Sequence, residues 1–321
     1  MTGGAGFIGS HVCKRLAASG YRPVALDDLS HGRRDAIKWG PLEAGSIGDR
    51  IRITEILDKY KPAAVMHLAS LTSISASVAN PLLYYTNNVD YTTTLLRAVT
   101  DHKPVPFIYC SSASVYGLPT KTPISEDSPL TPISPYGANK VAVERMLADT
   151  GAAKTMPWAA LRCFNAGGAD PNGEIGENHD PETHLIPLAI RAALSGTSVT
   201  IFGNNYETPD GTCIRDYVHV ADIAEAHVLA LKYLLNGGRS GPFNIASTRG
   251  HTVKEVIAAA TSICGRPISI KIAPRRAGDP AMLVGSMERA RAALGWTPER
   301  SSLEQQIRDA LSWQQTSQIL R

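Results

Sequence analysis

Short, mostly apolar runs punctuate the first half of the chain, and the segments between them carry apolar positions at helical spacing. YRPVALDD, AAVMHLAS (Ala63 to Ser70), VPFIYCSSASVYG (Val105 to Gly117) and WAALRCFN (Trp158 to Asn165) read as strands. Their near-continuous hydrophobicity is what a parallel sheet covered on both faces demands. Helices are predicted from about His11 to Ser19, Thr54 to Lys61, Tyr84 to Asp101 and Tyr136 to Asp149. This alternation predicts βαβ units. After Asn165 the rhythm breaks. A Gly-, Pro- and Asp-rich stretch, Ala166 to Thr183, precedes a helix from about Ile186 to Ser195, a strand Val199 to Gly203 and an amphipathic helix near Val220 to Leu235. A loop of that kind is either an excursion over a binding cleft or a plain surface insertion. The fold class expected is α/β: a doubly wound parallel-sheet domain over 1–168 with a later return segment near 213–235, and a smaller α/β C-terminal domain over 169–321 that includes IKIAPRRAGDP.

The chain opens on MTGGAGFIGSH. Gly3, Gly6 and Gly9, with Phe7 and Ile8 between the last two, permit a tight turn whose backbone N–H groups approach a pyrophosphate while the next helix packs against the sheet. Alone, such a cluster could be only a turn. Asp27 follows about twenty residues on, at the end of the next strand, where a carboxylate accepts from both hydroxyls of an adenine ribose and repels a 2′-phosphate. The pair indicates a Rossmann domain that takes NAD rather than NADP. A turn of this kind should follow a hydrophobic strand, yet the chain begins at the turn itself. The first strand, central in the sheet, is therefore expected to be missing, because translation starts upstream or Met1 is an internal position.

Composition narrows the partners. The 321 residues are 43% hydrophobic and 19% charged, the profile of a soluble globular protein. The net charge of +3 comes from interspersed signs, so nothing resembles a nucleic-acid footprint. Cys13, Cys110, Cys163, Cys213 and Cys264 are odd in number and widely spaced, which argues against a disulfide framework or a zinc site and for a reducing compartment. No apolar run has the length of a membrane span and no leader pattern is present, so a cytoplasmic protein with no membrane partner and no metal is expected.

The candidate chemistry lies in SPYGANK, Ser134 to Lys140. Tyr136 and Lys140 are four residues apart just after a proline that suits a first helical turn, so they share a face. A tyrosine with its ordinary pKa near ~10 is a poor base, and a nearby ammonium together with a cationic nicotinamide would favour the phenolate. Any surface helix can carry Tyr and Lys at this spacing, so the pair counts only with other signals. One is the cluster Ser111, Ser112 and Ser114 at the carboxyl end of a buried strand, where open parallel sheets bind ligands.

Together TGGAGFIGSH, LDDLSHG, NNVDYTTTLL, SSASVYG, SPYGANK, RCFNAGGADPNGEIGE, PETHLIP, IFGNNYETPDGTCIRDYVHVAD and APRRAGDPA resemble the extended short-chain dehydrogenase/reductase family over essentially the whole chain. The long run from IFGN to HVAD is similar to the family's NAD-dependent sugar-nucleotide 4-epimerases. The resemblance implies a tightly held NAD, reused within each turnover, and reversible interconversion of UDP-glucose and UDP-galactose through a transient 4-keto sugar. Tyr136 would take the proton from the sugar O4, Ser112 would bond the same oxygen, and Lys140 would grip the nicotinamide ribose and hold the tyrosine pKa down. For the cofactor the family pattern adds Ser46, Ile47, Leu68, Ala69, Ser70, Asn88 and Cys163. For the UDP-sugar it adds Ser114, Asn165, His184 with Leu185, Thr200 with Phe202 near the uracil, Arg215, Arg276 and Asp279.

Several positions depart from that pattern. Ser46 stands for a usual Asp, Thr72 for a common Lys and Cys163 for a common Tyr, each expected to weaken cofactor retention or reshape the sugar pocket. The resemblance implies that Leu283 matches the position whose size limits the C2 substituent, where a bulky side chain would favour unsubstituted hexoses over N-acetylated ones. A UDP-pentose 4-epimerase is the alternative that keeps the same chemistry. A 4,6-dehydratase would need an acid and a base where Ala113 and Ser114 stand, and a non-catalytic NAD-binding protein would not need Ser112, Tyr136 and Lys140. The family also implies a homodimer built on the helices Tyr84 to Asp101 and Tyr136 to Asp149.

Overall fold

The computed structural model describes residues 1–276 and 279–319, so Ala277 and Gly278 of the APRRAGDP stretch lie outside the described residues. In chain order the first half comprises α1 (Phe7–Ala18), β1 (Ala25–Asp27), β2 (Leu42–Ala44), α2 (Arg50–Tyr60), β3 (Val65–His67), α3 (Ile74–Ala79), α4 (Pro81–Tyr85), α5 (Tyr91–His102), β4 (Phe107–Ser112), α6 (Pro135–Lys154) and β5 (Trp158–Cys163). The second half comprises β6 (Asn165–Gly167), α7 (Leu185–Ser195), β7 (Ser198–Phe202), β8 (Ile214–His219), α8 (Val220–Leu235), β9 (Gly241–Ile245), β10 (Gly250–Thr252), α9 (Val253–Cys264), β11 (Ser269–Ala273), β12 (Met282–Leu283), α10 (Glu288–Leu294) and α11 (Leu303–Ile319).

The mostly apolar runs form a parallel sheet. β3, β4, β5 and β9 lie side by side, all parallel, and β1 pairs parallel with β2. Thr2 bridges both Leu26 of β1 and His67 of β3, joining the two sets. Thr2 N–H donates to Met66 O and Leu26 N–H to Met1 O, at 2.9 and 2.7 Å. The place expected for a missing first strand is thus held by Met1 and Thr2. Side chains of β4 alternate between two cores. Ile108 packs with Val12 and Leu16 of α1 and Ile223 of α8 on one side, and Phe107 with Leu57, Leu95 and Leu147 on the other. Phe107 and Ile108 are fully buried, each worth about 1.5–3 kcal/mol. Both faces of the sheet are covered, which is why its strands show no alternation.

The second half is a looser α/β assembly. β7 pairs parallel with β11, and β8 collects β6, β10 and β12 around it. α7, α9 and α11 pack together through Ile190, Ile257 and Ile307. β9 and α8 come late in the chain yet belong to the first sheet, β9 beside β5 and α8 against α1.

Two expectations are corrected in detail. The helix predicted from Tyr84 to Asp101 is interrupted by a π-type turn at 86–90, where the widened backbone lets the buried Asn88 reach the loop after β3. The strand predicted from Trp158 to Asn165 divides at Phe164, because Asn165 leaves β5 to pair with Tyr217 of β8.

Candidate active site

The start of α6 is built for close approach. Ser134 caps it by accepting from Gly137 N–H at 3.1 Å, and Pro135 occupies the first turn. A Cβ on Gly137 would stand 2.5 Å from Ser114 O, so only glycine lets the helix touch the turn that follows β4. That contact brings Tyr136 within hydrogen-bonding reach of Ser112. Ser112 Oγ also accepts from Ser114 N–H at 3.2 Å. Lys140 is almost fully buried on the same helix face, its ammonium 5.5 Å from the Tyr136 ring centre, and donates to Cys110 O at 2.9 Å.

Burial dominates the electrostatics of this group. Burial pushes the Tyr136 phenol well above its ordinary value, and the Ser112 hydrogen bond pulls only partly against that. The ammonium spends its bond on Cys110 O, so Lys140 alone does not bring the tyrosine into the range of a base. Burial also lowers the lysine.

Behind the group lies a polar network that sequence reading missed. Arg162 of β5 makes a bidentate pair with Glu144 of α6, at 2.6 Å (Nη2 to Oε2) and 3.0 Å (Nε to Oε1). It also donates to Tyr116 Oη at 2.9 Å, and Ser111 Oγ donates to Glu144 Oε1 at 2.5 Å. Glu144 follows Lys140 by one helical turn, the one signal the sequence offered.

The opening turn forms the other side of the site. Gly3 has φ +68°, and a Cβ there would meet Ala69 N at 2.5 Å; one on Gly9 would meet Gly3 O at 2.0 Å. Gly6, by contrast, meets only Gly3 O at 3.4 Å, so its open side is a bare backbone surface. It precedes α1 with no side-chain cap and no acidic residue in the first turn, leaving the amides around Phe7 and Ile8 for an anion. Asp27 accepts from Ala5 N–H and Leu29 N–H at 2.9 Å each, one per carboxylate oxygen, keeping lone pairs for a ribose. Burial raises its pKa. The donor set and the bare glycine face fit a dinucleotide. Ile47 is buried, Ser46 accepts from Gly48 N–H at 3.0 Å, and Leu68, Ala69 and Ser70 follow β3. Asn88 is spent on the protein itself, accepting from Leu71 N–H at 2.8 Å and donating to Leu71 O at 3.0 Å. Cys163 Sγ lies 4.0 Å from Cys110 Sγ, and that contact, with burial behind it, raises the Cys163 thiol above its ordinary value.

The remaining candidates gather in the second half. Arg215 of β8 pairs with Asp279 and donates to its neighbour Ile214 O at 2.7 Å. The Arg276 guanidinium stacks 3.9 Å over the Phe202 ring, next to Thr200 on β7. Leu283 stands opposite Arg215 in the β12 pairing, and Asn165 is exposed at the head of β6. His184 and Leu185 open α7. A feature missed from sequence is the company His184 keeps: Glu177, His179 and Glu182 place their ligating atoms with its own within 4.8 Å of one another. The spacing E-x-H-x-x-E-x-H was the available signal.

Residues 1–246 match the model of the NAD dependent epimerase/dehydratase family. The chain is 47% identical over 314 residues to the UDP-glucose 4-epimerase of Rhizobium leguminosarum bv. trifolii, covering 98% of this chain and 96% of that one. Among solved structures, the UDP-glucose 4-epimerase from Brucella ovis in complex with NAD superposes with a TM-score of 0.94 at 44% identity, over 97% of this chain and 96% of that chain. The enzyme from Bifidobacterium longum in complex with NAD+ and UDP gives 0.94 at 32% identity, over 99% and 98%.

Proposed function

The chain belongs to the NAD dependent epimerase/dehydratase family, and on that premise we propose that it interconverts UDP-glucose and UDP-galactose by epimerisation at C4. The observation that carries the reading is the union of Ser112, Tyr136 and Lys140 at the carboxyl end of β4, beside a glycine turn shaped for a dinucleotide. NAD, when bound, would supply a hydride acceptor and donor and the positive charge of its nicotinamide ring. Lys140, with that added positive charge, holds Tyr136 as the phenolate against the pull of burial. Tyr136 would take the proton from O4 while C4 is oxidised, which makes the sugar a 4-keto compound. Ser112 would bond the same oxygen throughout. Once the sugar has turned, Tyr136 would give the proton back as C4 is reduced on its other face, so no net redox follows.

The roles of the other residues are part of the proposal. Gly3, Gly6, Phe7, Ile8, Gly9, Asp27, Ser46, Ile47, Leu68, Ala69, Ser70, Asn88 and Cys163 line the cofactor. Ser114, Asn165, His184, Leu185, Thr200, Phe202, Arg215, Arg276 and Asp279 serve the UDP-sugar. The cationic Arg215 and Arg276 suit a diphosphate. The division into a cofactor domain over 1–168 and a sugar-nucleotide domain over 169–321 follows the same assignment, except that the return expected near 213–235 runs through α8 and β9, 220–245, because β8 pairs within the second half. A homodimer is proposed as well. Leu82 and Val78, 76% and 62% exposed, lie with Ile74, Leu83 and Tyr85 on α3 and α4, an apolar surface beside α6. A solution mass of one chain would remove that part.

The test of function is incubation with UDP-galactose and no added cofactor, followed by chromatography. UDP-glucose is expected to appear. A product lighter by one water, or none even with NAD supplied, overturns the assignment.

A further inference from the structure

His184 Nδ1 lies 2.6 Å from Glu177 Oε1 and 2.9 Å from Glu182 Oε1. Two carboxylates rarely converge on one nitrogen, since like charges in partly buried surroundings repel unless something positive stands between them. Here the two acids are themselves buried, with side chains 5% and 1% exposed. Glu182 is anchored further, its Oε1 accepting from Thr183 N–H and His184 N–H at 2.7 and 2.8 Å. A metal ion of the zinc class would hold its donors roughly 3.3 Å apart in a tetrahedron. The separations of 2.6 and 2.9 Å are those of a shared proton instead.

We propose that Glu177 and Glu182 are positioning residues of the nucleotide-sugar site, which clamp His184 by Nδ1, keep its ring as the imidazolium and leave Nε2–H as a cationic donor toward the anionic part of the substrate. The inference rests on the reading of His184 as a substrate-binding residue. The ring sits at the N-terminus of α7, where the helix dipole disfavours a cation, so the charge needs the two acids to hold it. Nδ1 is fully engaged, and the side chain is 45% exposed, so Nε2 is the nitrogen left for a ligand. His179 is the other titratable group at hand, its ring centre 5.2 Å from that of His184 and its Nδ1 3.1 Å from Glu177 Oε1.

The pH behaviour follows. Despite the cost of burial, the charge of Glu177 and the hydrogen bonds to both acids hold His184 up to about 10. Glu177 is correspondingly drawn down to about 2. A folded value above the ordinary ~6.5 means the clamp's stabilisation is complete below that pH and fades only as pH climbs through the raised value. The imidazolium therefore persists across the neutral range.

The test uses the full chain with its bound cofactor. KM and kcat for UDP-galactose are measured from pH 6 to 9 in wild type, Glu177→Gln, Glu182→Gln and His184→Gln, and the protonation of His184 is read by 15N NMR. Glutamine keeps the acceptors and removes the charge. Wild-type KM should stay flat to pH 8.5, while the two Glu→Gln variants match it near pH 6 and weaken about tenfold by pH 8 with kcat unchanged. His184→Gln should raise KM at every pH. If the Glu→Gln profiles equal wild type while His184→Gln is impaired, or if NMR finds a neutral ring at pH 8, the inference is wrong and the function stands. If His184→Gln binds normally, the premise about His184 fails and the proposal with it.

Discussion

Glu144 and Arg162, which back Tyr136 and Lys140, are 7% and 4% exposed and share a bidentate ion pair. Arg215 and Asp279 in the second half are 11% and 24% exposed, and His184 is 45% exposed, on short strands and loop ends. The first group is fixed by a sheet covered on both faces, and the second by pairs that a ligand can rearrange. Proton and hydride transfer need reacting atoms held within a narrow geometry. Gripping a flexible diphosphate needs charge in roughly the right place. On the proposed assignment, the more buried group would serve the chemistry and the more exposed one recognition, which suits a reaction in which the nucleotide stays while the sugar turns.

The contrast can be broken by substitution. Tyr136→Phe removes the proton acceptor and keeps the ring, and should cut turnover by about 10²–10⁴-fold. The protein should still carry its cofactor, seen in its absorbance, and near-normal turnover would end the catalytic assignment. Glu144→Ala strands the buried Arg162 guanidinium and should cost about 3–5 kcal/mol of stability in a denaturation experiment. If the melting curve does not move, the network is not what holds α6 to β5. Arg215→Ala should leave stability and kcat close to wild type and raise KM by about ten- to a hundredfold, the loss of a charge-assisted contact. A fall in kcat with KM unchanged would mean that the second half shapes the chemistry too.

Much of this was legible in sequence, for physical reasons that differ by residue. Glycines that only glycine can occupy, such as Gly3 and Gly9, mark the turn because a Cβ would collide with backbone. The strands showed themselves because both faces are buried. Helix and strand ends were less legible. The turn at Asn88 interrupts a helix without any proline or glycine to announce it, and its bond to Leu71 reaches a residue seventeen positions away. The Glu144 to Arg162 pair and the clamp on His184 were missed because a charged residue bonded inside looks, in a sequence, like one in solvent. Asp216, fully buried and accepting from Ser247 N–H at 2.8 Å, was passed over for the same cause. How strongly burial raises the Tyr136 phenol was not legible either, because the spacing of Tyr136 and Lys140 says nothing of burial.

Asn88 has one more consequence. With both edges of its amide closed on Leu71, the loop after β3 is already ordered in the folded chain. The entropy of arranging that wall is lost once, during folding, and not again at each association. On the proposed assignment of this loop to the cofactor, a nucleotide settling against it would give up only its own freedom, and its retention would become a property of how the loop folds.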